Sequence, residues 1–123
     1  MGACTRGRPN GIMTLLKSFT RIRTPIGYHL VFIIVENDSK KSLNAVVDDF
    51  QTHCNDADVV YEIEPQLGIP FARNRVLNLA LEHDCELLAF VDDDEIVDDD
   101  WLISLHTELY SRKLQLVGGP VRI

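Results

Sequence analysis

The chain has 123 residues, 46% hydrophobic and 25% charged, which is the composition of one ordinary globular domain and excludes a disordered tail. Asp plus Glu number 19 against 12 Lys plus Arg, a formal net charge of −7, so nucleic acid, whose phosphates an acidic surface repels, is excluded as an expected partner. The cysteines, Cys4, Cys54 and Cys85, are odd in number and form no CxxC pair, which argues against a disulfide scaffold or a zinc knuckle and for a reducing, cytoplasmic compartment. The longest apolar run, Leu30 to Val35, is far shorter than the ~20 residues of a membrane span, and no basic stretch followed by an apolar one opens the chain as a signal peptide would.

In chain order, Ala3-Cys4 reads as the remnant of a first strand, ending in Thr5-Arg6-Gly7-Arg8-Pro9. After Pro9-Asn10-Gly11, the residues Ile12, Leu15, Leu16, Phe19 and Ile22 recur at helical spacing. Leu30 to Val35 is a continuous β-branched and aromatic run of strand length. Leu43, Val46, Val47 and Phe50 form a second helical stripe, with Ser39 or Ser42 as a cap. Residues 59–63 predict a strand, and Ala72, Val76, Leu77, Ala80 and Leu81 a third helix. Residues 87–91 predict another apolar strand, and Trp101, Leu102, Leu105 and Leu109 a fourth helix capped near Asp98 to Asp100. Residues 115–121 predict a closing strand broken by glycines.

This alternation of strand and helix implies βαβ units. The runs 30–35 and 87–91 are apolar without alternation, as in strands buried on both faces of a parallel sheet. The expectation is an α/β fold, a three-layer αβα sandwich with a mostly parallel, Rossmann-like sheet whose strand order begins 3-2-1-4. Ligands of such open sheets bind beyond the carboxyl ends of the strands, and three polar clusters stand there: Thr5 to Pro9, Glu36-Asn37-Asp38-Ser39 and Asp92-Asp93-Asp94-Glu95. Polar residues at strand ends are commonly turns and caps. Four consecutive carboxylates, however, repel by about 1 kcal/mol per close pair even in water, a cost that a turn does not require and a hard divalent cation relieves. The stretch Gly68-Ile69-Pro70-Phe71-Ala72-Arg73-Asn74 leads into a helix whose first turns carry Arg73, a forked donor suited to phosphate, although surface helix residues read the same way.

Taken together, Cys4-Thr5-Arg6-Gly7-Arg8-Pro9, Val35-Glu36-Asn37-Asp38-Ser39, Gly68 to Asn74, Phe90-Val91-Asp92-Asp93-Asp94-Glu95 with Asp100-Trp101-Leu102, and Val117-Gly118-Gly119-Pro120-Val121 resemble the first half of a family 2 glycosyltransferase of GT-A fold. The resemblance covers essentially the whole chain but about half of a family member. It implies a nucleotide-diphospho-sugar as donor and Mn2+ or Mg2+ as cofactor. Asp92-Asp93-Asp94 match the DxD motif, with Asp94 implied as metal ligand and Asp92 nearer the ribose and diphosphate, sharing the metal. Glu36 matches the acidic residue that recognises the base, with Asp38 in the same stretch. Thr5 and Arg6 match the loop that touches the nucleotide, and Arg73 and Asn74 the ArgAsn pair beside it. The implied reaction is metal-assisted displacement of a nucleoside diphosphate, with a separate carboxylate as general base on the acceptor hydroxyl.

In inverting members that base lies beyond the strand that here reaches Ile123. Residues 1–123 therefore read as a single donor-binding domain, truncated at both ends relative to a full family member. No catalytic residue is assigned within it, and it is expected to bind nucleotide without transferring sugar. The acceptor is not named. In a longer context a peripheral place at the membrane is expected. An exposed sheet edge favours a homodimer. The alternative is a non-catalytic nucleotide-binding or assembly module with the same half-fold. A receiver-type phosphotransfer domain needs an acidic pair after the first strand, where Thr5-Arg6-Gly7-Arg8 stands instead.

Overall fold

Sequence order translates into a sheet of β1 (Gly2–Thr5), β2 (Leu30–Glu36), β3 (Ala57–Ile63) and β4 (Phe90–Asp92), with helices α1 (Pro9–Phe19), α2 (Asn44–Thr52), α3 (Ile69–Glu82) and α4 (Trp101–Ser111). The structure, a computed structural model, describes residues 1–120. The strand order is β3-β2-β1-β4 and every pairing is parallel, as the alternation of elements requires. Among the described residues no helix is long and apolar enough to cross a membrane.

β2 is buried on both faces. Phe32 and Ile34 point into the larger core, with Ile12, Leu15, Leu16 and Phe19 of α1 and Val47 and Phe50 of α2. Ile33 and Val35 point the other way, onto Ala72, Val76, Leu79 and Ala80 of α3. One strand thus supplies both cores, which is why its sequence does not alternate. The Phe19 and Phe32 rings stack with centroids 5.2 Å apart, and Phe50 closes edge-on against Phe32 at 5.1 Å. Truncating a ring buried this deeply costs about 3–5 kcal/mol. α1 begins at Pro9, where a missing N–H is harmless. α3 begins after Gly68, whose φ of 139° suits glycine.

Several expectations are corrected. The strand expected over 87–91 spans only Phe90–Asp92, and Leu87 and Phe90 are 42% and 39% exposed. Among the described residues β4 lies at the edge of the sheet, beside β1. Leu77 and Leu81 of α3 face outward, while Leu79 takes the buried place. The strand expected over 59–63 begins at Ala57. Ile22 lies past the end of α1. Neither Ser39 nor Ser42 caps α2, whose N-cap position is Leu43 with no side-chain cap bond. Asp100 stands at the α4 N-cap without capping it, because Arg23 takes its carboxylate at 2.8 Å and Arg21 lies 3.4 Å from Asp99. Residues 115–120 form no strand, and Val121 lies outside the described residues.

Candidate functional site at the carboxyl ends of the strands

Alternation along each strand decides which side chains meet above the sheet. Ala3 and Val91 belong to the larger core and Cys4 packs against the smaller one. Thr5 therefore leans toward α1 and Asp92 toward α3. Arg73, one turn into α3, donates to Asp92 Oδ1 at 2.8 Å and lies over the Phe90 ring at 5.6 Å. The next residue turns back: Asp93 is 9% exposed, accepts the Thr5 hydroxyl at 2.8 Å through Oδ2 and meets Arg8 at 3.2 Å through Oδ1. Asp94 stays outside, with its side chain 68% exposed and its nearest cation Arg8 at 3.7 Å. The turn closes on itself, since Glu95 N–H donates to the Asp92 carbonyl at 3.1 Å and Asp92 N–H donates to the Glu95 carboxylate at 3.1 Å. Gly11 makes room for this turn in the first coil of α1, because a Cβ there would stand 2.8 Å from the Asp93 carbonyl oxygen.

Thr5, Arg8, Arg73 and Asp92 to Asp94 thus form one cluster at the ends of β1 and β4. Arg6 is exposed at its rim, and Asn74 lines, with Arg73, Phe71 and Phe90, an open groove of about 510 Å³ between α3 and β4. Cys4 lies beneath; burial, foremost, pushes its thiol up to about 11, with Arg73 opposing and Asp92 and Asp93 reinforcing the shift.

The end of β2 is built differently. Glu36 is 2% exposed and Asn37 is 6% exposed. The Glu36 carboxylate accepts the Ser42 backbone N–H at 2.8 Å, the Ser42 hydroxyl and the Tyr61 hydroxyl. Tyr61 is pushed up to about 12, first by burial and then by its hydrogen bond to Glu36. Asn37 donates to the carbonyls of Glu64 and Gln66, each at 2.8 Å, and accepts the Gly68 N–H at 2.8 Å. Asp38 is exposed and accepts the Ser39 N–H at 2.7 Å. Arg8, Asn37, Ser42 and Tyr61 were not among the candidates from sequence. Arg8 stood inside a motif already quoted, whereas the partners of Asn37 and Tyr61 are too distant in sequence for any local spacing to reveal.

Among the described residues no group of three or more His, Cys, Asp or Glu side chains is arranged to hold a metal ion by itself. A hard cation that arrives with a diphosphate needs only one or two carboxylates, its other oxygens coming from phosphate and water. The exposed carboxylates of Asp92 and Asp94 fit that requirement.

The sequence profile of Glycosyl transferase family 2 matches residues 4–123. The chain is also 33% identical, over 122 residues, to the succinoglycan biosynthesis protein ExoM of Rhizobium meliloti (strain 1021). That match covers 99% of this chain and 38% of the relative, so the chain spans well under half the relative's length. On the match across nearly its whole length, this chain belongs to glycosyl transferase family 2.

Proposed function

We propose that this segment binds the nucleotide-diphospho-sugar donor of a glycosyltransferase, with the ends of β1 and β4 as the diphosphate site. The observation that carries this reading is the juxtaposition of Arg73, Arg8 and Thr5 with the acidic triplet at one end of a parallel sheet. Arg73 offers a forked donor to a phosphate, and pairing with Asp92 keeps it oriented at the site when no ligand is bound. Arg6 adds positive charge at the rim. Thr5 and Arg8 hold Asp93 inward, which fixes the turn and leaves Asp94 facing out. Asp92 to Asp94 serve as the DxD motif, in which Asp94, with Asp92, would hold Mn2+ or Mg2+. When bound, such a cation supplies neutralisation of the charge on a departing diphosphate. Glu36 and Asp38 mark the base end, and Asn74 borders the groove beside Arg73.

Donor binding is assigned to this segment, and acceptor binding and the proton acceptor for its hydroxyl to further chain of the kind that makes the relative longer. Succinoglycan biosynthesis in that relative suggests a saccharide acceptor. The odd number of cysteines without a CxxC pair supports a cytoplasmic setting. We propose pairing of two copies at the edge of β4, open among the described residues, and a monomer at every concentration in sedimentation equilibrium would reject it.

Titration calorimetry with UDP, GDP and CDP, each with and without Mn2+, tests the reading. Saturable binding of at least one nucleotide, strengthened by Mn2+, supports it. Heats indistinguishable from dilution for all three reject it.

A further inference from the structure

Arg8 stands where the chain leaves β1 for α1. Gly7 before it has a φ of 62°, and Pro9 after it opens the helix, so Arg8 is held at the α1 N-cap position, where its carbonyl accepts the Ile12 N–H at 3.0 Å. A single side-chain nitrogen, Nη1, faces two carboxylates of the acidic turn, Asp93 Oδ1 at 3.2 Å and Asp94 Oδ2 at 3.7 Å. These two contacts differ in kind. Asp93 is also held by the Thr5 hydroxyl at 2.8 Å, and its side chain is only 11% exposed. Asp94 is exposed, and its ion pair with Arg8 is longer than a hydrogen bond. An exposed, loose ion pair of this sort is weak and is readily exchanged for another partner. A divalent cation that takes the Asp94 carboxylate meets like charge on Arg8, whereas a diphosphate at the same place meets an opposite charge and a forked donor.

We propose that Arg8 is a built-in counter-ion that competes with the divalent cation for Asp94 and passes to the diphosphate when nucleotide and cation arrive together, so that the site disfavours the cation alone. The proposal rests on the donor-binding reading for its two ligands and on the ion pairs of Arg8 for its geometry.

The test titrates the whole chain with Mn2+ alone, followed by electron paramagnetic resonance, and with UDP, GDP and CDP in EDTA, followed by calorimetry. Arg8→Gln should bind Mn2+ about two- to fivefold more tightly than the parent, and each nucleotide that binds about two- to fivefold more weakly. Arg8→Lys, which keeps the charge, should restore both affinities toward the parent. Thr5→Val removes the other bond to Asp93 without a change of charge, and should not tighten Mn2+. In an Asp94→Asn background, Arg8→Gln should no longer tighten Mn2+, because the contested carboxylate is gone. Weaker or unchanged Mn2+ binding in Arg8→Gln would overturn the proposal, since a residue that only shapes the turn behaves that way. Equal tightening in Thr5→Val would overturn it as well, because a released Asp93 would then be the cause. Should the parent bind none of the nucleotides, the donor reading fails while the Mn2+ titrations still decide whether Arg8 competes for Asp94. Should the parent bind no Mn2+, binding gained in Arg8→Gln supports the competition and its absence overturns it.

Discussion

The acidic ends of β2 and β4 use the same functional group for opposite purposes. At β2 the carboxylate of Glu36 is closed off and met by neutral donors of its own chain. At β4 the carboxylates divide: Asp93 turns inward onto Thr5 and Arg8, while Asp92 and Asp94 face solvent with arginines beside them. A buried carboxylate held by neutral groups of its own chain contributes to the shape of a loop, with three of its about four acceptor positions taken. Exposed carboxylates beside cations suit an incoming diphosphate and its metal. Burial and strand alternation, more than residue type, separate the two ends.

Stability should part them most sharply. Glu36→Ala leaves the Ser42 N–H and the Ser42 and Tyr61 hydroxyls without their acceptor, and is expected to cost about 3 kcal/mol in urea unfolding. Asp94→Ala should stay within about 0.5 kcal/mol of the parent. Equal losses at the two positions would erase the distinction. Within the β4 turn, Asp93→Asn should destabilise by about 1–2 kcal/mol, since it weakens the contacts to both Thr5 and Arg8; a thermal midpoint unchanged from the parent would contradict the inward role of Asp93.

Ligand binding should show the reverse order. Asp94→Asn is expected to weaken Mn2+-dependent nucleotide binding at least ~10-fold, about 1.4 kcal/mol. Asp99→Asn, whose carboxylate lies beside Arg21, should change it little. Equal losses from the two would reject the assignment of Asp94.

A separate effect is expected in alkali. Cys4 and Tyr61 titrate at about 11 and about 12 in the folded chain, above their ordinary values of 9.0 and 10.0. Between the ordinary and the folded value the unfolded chain has lost the proton and the folded chain retains it. Stability should therefore be unaffected by these groups below pH 9 and fall as pH rises from 9 toward 12. Cys4→Ala should flatten the first part of that fall, over pH 9–11, and Tyr61→Phe the second, over pH 10–12. Identical pH slopes in parent and variants would show that the two groups are not shielded as described.

Much of this architecture was legible in the sequence. The unbroken apolar run of β2 and the regular strand–helix alternation were enough for a parallel sheet with helices on both faces, and the expected order 3-2-1-4 agrees with the one observed. The length of β4, the outward turn of Leu77 and Leu81 and the missing caps were not legible, because each depends on what lies beyond an edge or on a competing partner elsewhere in the chain. Ser42 is the clearest case: a local rule makes it a cap, and a buried carboxylate six residues earlier takes its hydroxyl instead. The site was legible as motifs but not as contacts. Arg73 and Asp92 were each named from sequence, whereas their pairing follows only from the register of β4 beside β1 and the packing of α3 on the sheet. Asp93 looked like its two neighbours, and only the fold turns it inward.

The most direct test of the donor-binding claim is amide chemical-shift mapping of the chain with a nucleoside diphosphate and Mg2+. The account predicts that perturbed amides cluster at residues 5–8, 37–41, 73–74 and 92–95, at the carboxyl ends of the strands. Perturbations confined to the opposite ends, around Tyr28, Asp58 and Tyr110, or their absence at saturating nucleotide, would contradict it.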